Sequence, residues 1–261
     1  MTEIIAIANQ KGGVGKTTTS INFAAALACL GQDTLLIDLD PQANATSGLG
    51  FDKQEVEVGI LENLLDQVPL EKTIKATGVE LLDIVCSSPD MISAEIQLSN
   101  EVSRENRLRK ALEPFSKGYA YVVIDCPPSL GLLTINALCA ANRVLIPIQG
   151  EYYALEGLAS FFDAIKKVQA ALNTGLQLEG GVLTMFDARF ALAQQVKGEL
   201  SKFLGPNLFE TTIPRNVRLA EAPGFGQTIF EYDPRSKGSE RYLALAGEFL
   251  KRRGWQGMRF N

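Results

Sequence analysis

Histidine is absent from the 261 residues. Imidazole general-base chemistry and histidine metal ligation are therefore excluded, and any catalysis has to rest on carboxylates, lysines and a bound metal. Cysteine is scarce: Cys29, Cys86, Cys126 and Cys139 are widely spaced and form no C-x-x-C pair. That pattern predicts reduced thiols in a core rather than disulfides or a zinc site. No apolar run reaches the roughly 18 residues that a membrane-spanning helix needs. The opening MTEIIAIA also lacks the basic region and long apolar stretch of a signal peptide. The expectation is a cytoplasmic protein.

An excess of positive charge is missing too. The net charge of −5 argues against a protein that coats nucleic acid with its whole surface. The distribution is uneven, however. Arg235, Lys237, Arg241, Lys251, Arg252, Arg253 and Arg259 face only Glu240 and Glu248 in the last stretch, so a local basic face stays open.

What is present is an alternating rhythm. Short β-branched runs, EIIAIA, DTLLIDLD, VELLDIV, YAYVVIDC, RVLIPI and LEGGVLTMF, alternate with helical patterns at 16–30, 103–115, 130–140, 154–173, 190–204 and 237–253. The strands read as continuous apolar runs, which suits a mostly parallel, twisted sheet covered by helices on both faces. With 46% apolar residues, the chain can bury one full core. The predicted fold class is α/β, a single domain over residues 1–261. Its first strand starts at residue 3, which leaves no room upstream for a helix-turn-helix extension. Residues 40–58, 85–91 and 214–236 read as irregular.

Residues 9–19, NQKGGVGKTTT, lie between the first strand and the first helix. The glycines thus fall where a helix N-terminus aims its free N–H groups at an anion. Gly12, Gly13 and Gly15 let the backbone of the Lys11–Thr18 loop, Val14 included, approach phosphates without an obstructing Cβ. Lys16 would reach the β and γ phosphates, and Thr17 would offer its hydroxyl to Mg²⁺. Gln10 replaces the first glycine of G-x-x-x-x-G-K-[ST], and Lys11 is a second lysine. Strand ends supply carboxylates. Asp38 and Asp40 follow LLI, and Asp125 closes YVVI at a Walker-B-like position suited to holding Mg²⁺ through a water. Strand-end aspartates also serve as plain turn formers.

KGGVGKT is the deviant form of the P-loop. With DLDPQ at 38–42, VVIDCPPS at 122–129 and PRNVRLAEAPGFG at 214–226, the sequence resembles ParA/Soj-type partition ATPases, of the wider family that includes MinD, from end to end. The resemblance implies ATP and Mg²⁺ as cofactors and a homodimer in which two subunits sandwich two ATPs. In it Lys11 crosses to the partner's nucleotide and Asp40, a second candidate neighbour of the metal, orients the attacking water while Asp38 supports the loop. The adenine would lie near Pro214, Arg215, Asn216 and Val217. Nonspecific double-stranded DNA would meet Arg189 and Arg218, with Lys237 and Arg241 as neighbours, on a nucleoid-associated protein released by a ParB-type centromere-binding partner. With no histidine and no arginine evident in cis, basal turnover should be on the order of 10⁻⁴ to 10⁻² per second.

Competing readings remain in view. FLKRRGWQGMRFN resembles a MinD-like membrane-surface anchor through Phe249, Leu250, Trp255, Met258 and Phe260, although Gly254 and Gly257 interrupt the helix such an anchor needs. The cargo could also be something other than DNA. An iron-sulfur reductase of the same superfamily would need a cysteine pair at the dimer axis, and Cys126 has no obvious partner.

Overall fold

The computed structural model describes residues 2–114, 118–150 and 154–255. Eight strands form one sheet: β1 Glu3–Ile7, β2 Thr34–Asp38, β3 Ile74–Ala76, β4 Leu82–Val85, β5 Tyr121–Asp125, β6 Arg143–Gln149, β7 Gln177–Phe186 and β8 Leu208–Pro214. Their order is β3-β4-β2-β5-β1-β6-β7-β8, and the β3–β4 pair alone runs antiparallel. The helices are α1 Lys16–Cys29, α2 Asn44–Gly48, α3 Ile60–Leu64, α4 Ala94–Ser99, α5 Arg107–Leu112, α6 Leu132–Ala140, α7 Ala154–Ala171, α8 Ala191–Leu204, α9 Val217–Glu221, α10 Ile229–Tyr232 and α11 Lys237–Lys251.

Successive side chains of a strand point to opposite faces, and here both faces are apolar. Ile5 and Ile7 of β1 join Leu36, Val123 and Val182 against α1 and α11. Ala6 and Ala8 join Leu35, Ile37, Val122 and Ile124 against α5, α6, α7 and α8. Phe249 of α11 shows the packing: it is fully buried, edge-on to Phe23 with ring centroids 5.1 Å apart. Burying a side chain of that size contributes about 1.5–3 kcal/mol.

The connection from β1 through α1 to β2 passes over β5, and that from β5 through α6 to β6 passes over β1 on the opposite face. Crossovers that diverge in this way open a crevice beyond the C-terminal ends of β1 and β5, where open α/β sheets bind ligands.

Several expectations need correction. β3 and β8 were not anticipated, and the 103–115 helix is a 3-10 turn at Arg104–Asn106 followed by the short α5. Residues 214–236 hold α9, a 3-10 turn at Ala222–Phe225 and α10, so they are not irregular throughout. The 40–58 stretch hides α2. The tail differs as well. Phe249 and Leu250 are core residues, and Trp255 packs partly against the same core. Arg253 lies over the Phe249 ring at 3.6 Å and donates to Glu3 and Glu179, pinning the end of α11 to β1 and β7. Three of the five apolar residues named for the anchor thus pack into or against the core. Met258 and Phe260 lie outside the described residues.

β8 forms one margin of the sheet, and its register against β7 is irregular. Two consecutive N–H groups there, of Glu210 and Thr211, donate to the Glu248 carboxylate of α11 at 3.0 and 2.9 Å. Arg252 completes the cover by donating to Glu248 and to the Leu208 carbonyl oxygen.

Candidate active site

The loop between β1 and α1 is suspended from two strands. Asn9 donates to the Pro147 carbonyl oxygen of β6 at 2.8 Å and accepts the Lys11 N–H at 3.0 Å. Further along, the Val14 carbonyl oxygen accepts the Thr184 hydroxyl of β7 at 2.7 Å. Between these anchors Gly13 and Gly15 adopt φ of +74° and +85°, a left-handed backbone open to glycine at no steric cost. Gly15 is also the N-cap of α1 and, lacking a side chain, leaves the first-turn N–H groups unclaimed. An anion is what such a turn binds. Lys16 folds back over the loop, its Nζ donating to the Lys11 carbonyl oxygen at 2.9 Å. Burial pushes the Lys16 pKa down, while Asp125, Cys126 and Asp40 act to hold it up.

Beneath the loop, parallel pairing sets Asp38 of β2 beside Asp125 of β5. Both are fully buried. Burial pushes Asp125 up to about 8, with the Asp38 charge adding to it and the hydroxyls of Ser20 and Thr17 opposing. Asp38 is pushed up to about 6, again by burial, against hydrogen bonds from Thr46 and the Asp40 N–H. The two differ in saturation. Asp38 accepts Thr46 N–H, Thr46 hydroxyl and Asp40 N–H. Asp125 has Ser20 Oγ 2.7 Å from its Oδ1, whereas its Oδ2 is buried without a hydrogen-bond partner. An orphaned buried carboxylate oxygen is costly, and a divalent cation or its bound water would satisfy it. Thr17 and Asp125 therefore fit Mg²⁺. Among the described residues no group of three or more carboxylates or thiols forms a closed cage, and Mg²⁺, which keeps waters and phosphate oxygens, needs none. Asp40 stands beside them, 6% exposed, its Oδ1 accepting the Gln42 N–H at 2.9 Å.

Pro214, Arg215 and Asn216 line a cavity of about 260 Å³ that reaches Gly13, Gly15 and Thr18. Val217 is exposed and outside that lining. The Asn216 side-chain oxygen caps α9 by accepting the Arg218 N–H at 2.8 Å, which leaves its amide N–H groups for a ligand. Arg189, Lys237 and Arg241 converge, with Arg215, on one open groove of about 500 Å³. Arg218 does not line it and pairs with Glu221 at 2.9 Å and Asp233 at 3.4 Å. Arg189 is gripped by Asp187 and Lys237 by Glu240, each at 2.6 Å.

Ser20, Asn9, Thr184 and Tyr242 were not anticipated from the sequence. Ser20 was within reach, one helical turn after Lys16, where a side chain shares the face that meets β5. The others come from distant segments, such as Tyr242, whose hydroxyl lies 3.1 Å from that of Thr19 on α1. Linear spacing carries no sign of them.

A parallel sheet with a lysine-bearing anion loop at its switch point and an aspartate ready for a cation defines a P-loop ATPase. Residues 2–178 match the family model described as an AAA domain. The sporulation initiation inhibitor protein Soj of Bacillus subtilis is 54% identical over 248 residues, 95% of this chain and 98% of that protein. The chromosome-partitioning ATPase Soj of Thermus thermophilus is 49% identical over 95% of both chains. Cobyrinic acid a,c-diamide synthase from Mycobacterium smegmatis, solved with bound ADP and magnesium, matches over 100% of both chains with a TM-score of 0.86 and 33% identity. The chain belongs to the ParA/Soj family of partition ATPases, and ATP and Mg²⁺ are its cofactors. No helix among the described residues is long and apolar enough to cross a membrane.

Proposed function

We propose that this single-domain ATPase drives DNA segregation by cycling between a nucleotide-bound sandwich dimer that holds DNA nonspecifically and a released form. One observation carries the reading. Gly12 is exposed, and a Cβ built on it would meet nothing within 4 Å in its own subunit. Its backbone conformation does not call for glycine either, since Gly13 and Gly15 are the loop's positive-φ positions. A second subunit closing over the loop supplies the missing reason, because a side chain at 12 would stand between two close backbones. Lys11, at the same rim, would then reach the partner's phosphates and make ATP part of the interface.

Within each subunit Lys16 and the loop N–H groups bind the β and γ phosphates, and Thr17 with Asp125 holds Mg²⁺, Asp125 through a water. When bound, the metal neutralises charge on the phosphates. Asp40 orients the attacking water, and the cavity beside Pro214, Arg215 and Asn216 takes the adenine, with Val217 at its exposed rim. Arg189, Lys237 and Arg241 on their shared groove, together with Arg218 farther off, contact DNA phosphates and carry no sequence information. A ParB-type partner that reads the cargo locus triggers hydrolysis and release, so nucleotide state becomes position on the nucleoid.

Light scattering with ATP tests the dimer. Lys16→Ala should abolish ATP binding outright. Lys11→Ala should still bind ATP as a monomer and lose dimerisation and turnover, and equal ATP-dependent dimerisation of Lys11→Ala and wild type would refute the role given to Lys11.

A further inference from the structure

Asp40 is fixed through its backbone as well as its side chain. Its N–H donates to Asp38 Oδ1 at 3.2 Å, and its carbonyl oxygen accepts the Ser87 hydroxyl at 2.8 Å. The circuit closes through Thr46, whose hydroxyl donates to Asp38 Oδ2 at 2.8 Å and accepts the Ser87 N–H at 2.9 Å. Asp38, Thr46 and Ser87 have no solvent exposure at all. In such an interior each bond is stronger than in water, and a missing member leaves a polar group stranded.

Three chain segments meet in this circuit: the end of β2, the helix α2 and the turn after β4. Ala43, in the left-handed region at φ +52°, bends the chain back between Asp40 and Thr46. The turn after β4 is locked from the far side. The Cys86 carbonyl oxygen accepts the Ile60 N–H at the start of α3, and a Cβ on Gly59 would lie 2.5 Å from that same oxygen. Ser87 therefore presents a fixed hydroxyl to the Asp40 carbonyl oxygen, which among the described residues otherwise accepts only the Ala43 N–H of its own loop, at 2.9 Å.

We propose that Thr46 and Ser87 are positioning residues for ATP hydrolysis, holding the Asp40 backbone so that its carboxylate meets the attacking water. The inference rests on the reading of Asp40 as the water-orienting group. Position 46 needs one atom that both donates and accepts, which threonine and serine provide and the similarly shaped valine does not. Position 87 needs a donor beyond its own N–H. Both residues act on the reaction through Asp40, so their loss should reach the turnover step and spare nucleotide affinity.

The test compares ATP turnover by phosphate release with the affinity for a fluorescent ATP analogue in the intact protein. Ser87→Ala and Thr46→Val should lower kcat by about tenfold to a hundredfold, the scale that a misplacement of about 1 Å costs, with KM and analogue affinity within about twofold of wild type. Thr46→Ser should restore most of the rate. Ser87→Ala removes a single oxygen, so it keeps the test open should Thr46→Val fail to fold. Wild-type kcat in Ser87→Ala alongside an inactive Asp40→Ala overturns the positioning role alone, as does an equal loss of kcat and affinity, or Thr46→Ser behaving like Thr46→Val. Wild-type kcat in Asp40→Ala overturns the reading of Asp40 first, and the positioning role with it.

Discussion

The carboxylates below the phosphate loop and those beside the surface arginines are held in opposite ways. Asp125 and Asp38 have no contact with solvent, and burial pushes them up to about 8 and about 6. Asp187 sits at the surface, where hydrogen bonds from Arg189 pull it down to about 2. Lys237 does the same in kind to Glu240. The interior site thus holds an unmet demand for positive charge, which only a cation or a proton can answer. Outside, Arg189, Arg218 and Lys237 already have carboxylates, but solvent and salt screen each pair, so a phosphate can take the carboxylate's place at little cost. A committed site and an exchangeable one suit catalysis and transient DNA contact respectively.

The comparison breaks first at Asp40. Asp40→Ala should lower turnover by about a hundredfold or more, as loss of a group aimed at the transition state does, while keeping ATP binding. The variant should accumulate as a nucleotide-bound, DNA-bound dimer in size-exclusion runs. Failure to dimerise with ATP would instead make Asp40 a structural residue or a metal ligand.

Acidity sharpens the interior half. Burial and the neighbouring Asp38 charge push Asp125 up to about 8 from an ordinary value of 3.8, so the native state keeps a proton that the unfolded chain releases over that interval. Its stabilising contribution is therefore complete below about pH 4 and is lost as pH rises to about 8, at no more than about 1.4 kcal/mol per pH unit. Melting temperatures of the nucleotide-free protein in a chelator should show this fall, and Asp125→Asn should shrink it, most of all above about pH 6, where Asp38 no longer contributes. Parallel profiles for the two proteins would mean that Asp125 is ionised throughout.

The surface half yields the smallest effect. If Arg189 and Arg218 of two subunits contact about four phosphates, the slope of log affinity against log salt is near −3.6 at ~0.9 per contact. Arg189→Ala should reduce that slope by ~1.8 across a dimer and leave ATP-dependent dimerisation intact. Deleting residues 256–261 should change neither. Loss of liposome association on that deletion, with DNA binding by both arginine variants unchanged, would favour the membrane-surface reading.

The sheet centre and the loop were legible because both depend on local pattern. Six strands are apolar runs, and the loop is contiguous. β8 escaped notice for a physical reason: Leu208, Phe209 and Ile213 reach the core layers, but between them LFETTIP carries Glu210, Thr211 and Thr212 at the sheet margin, which breaks the apolar run. β3 has three residues and pairs antiparallel, too short for a period to show. At the site, Asp38 and Asp125 looked alike in sequence, each closing an apolar strand. That Asp38 is saturated while Asp125 has a bare oxygen depends on Thr46 and Ser20, which pairing and helix phase bring into place.

The Glu248 carboxylate across the Glu210 and Thr211 N–H groups has a consequence for assembly. A sheet margin with free donors is a template on which another copy can stack edge to edge into open-ended fibres. Here a newcomer strand would first have to displace a carboxylate that two N–H groups and Arg252 hold in place. The Glu248 cover therefore works against edge-to-edge stacking at this part of β8.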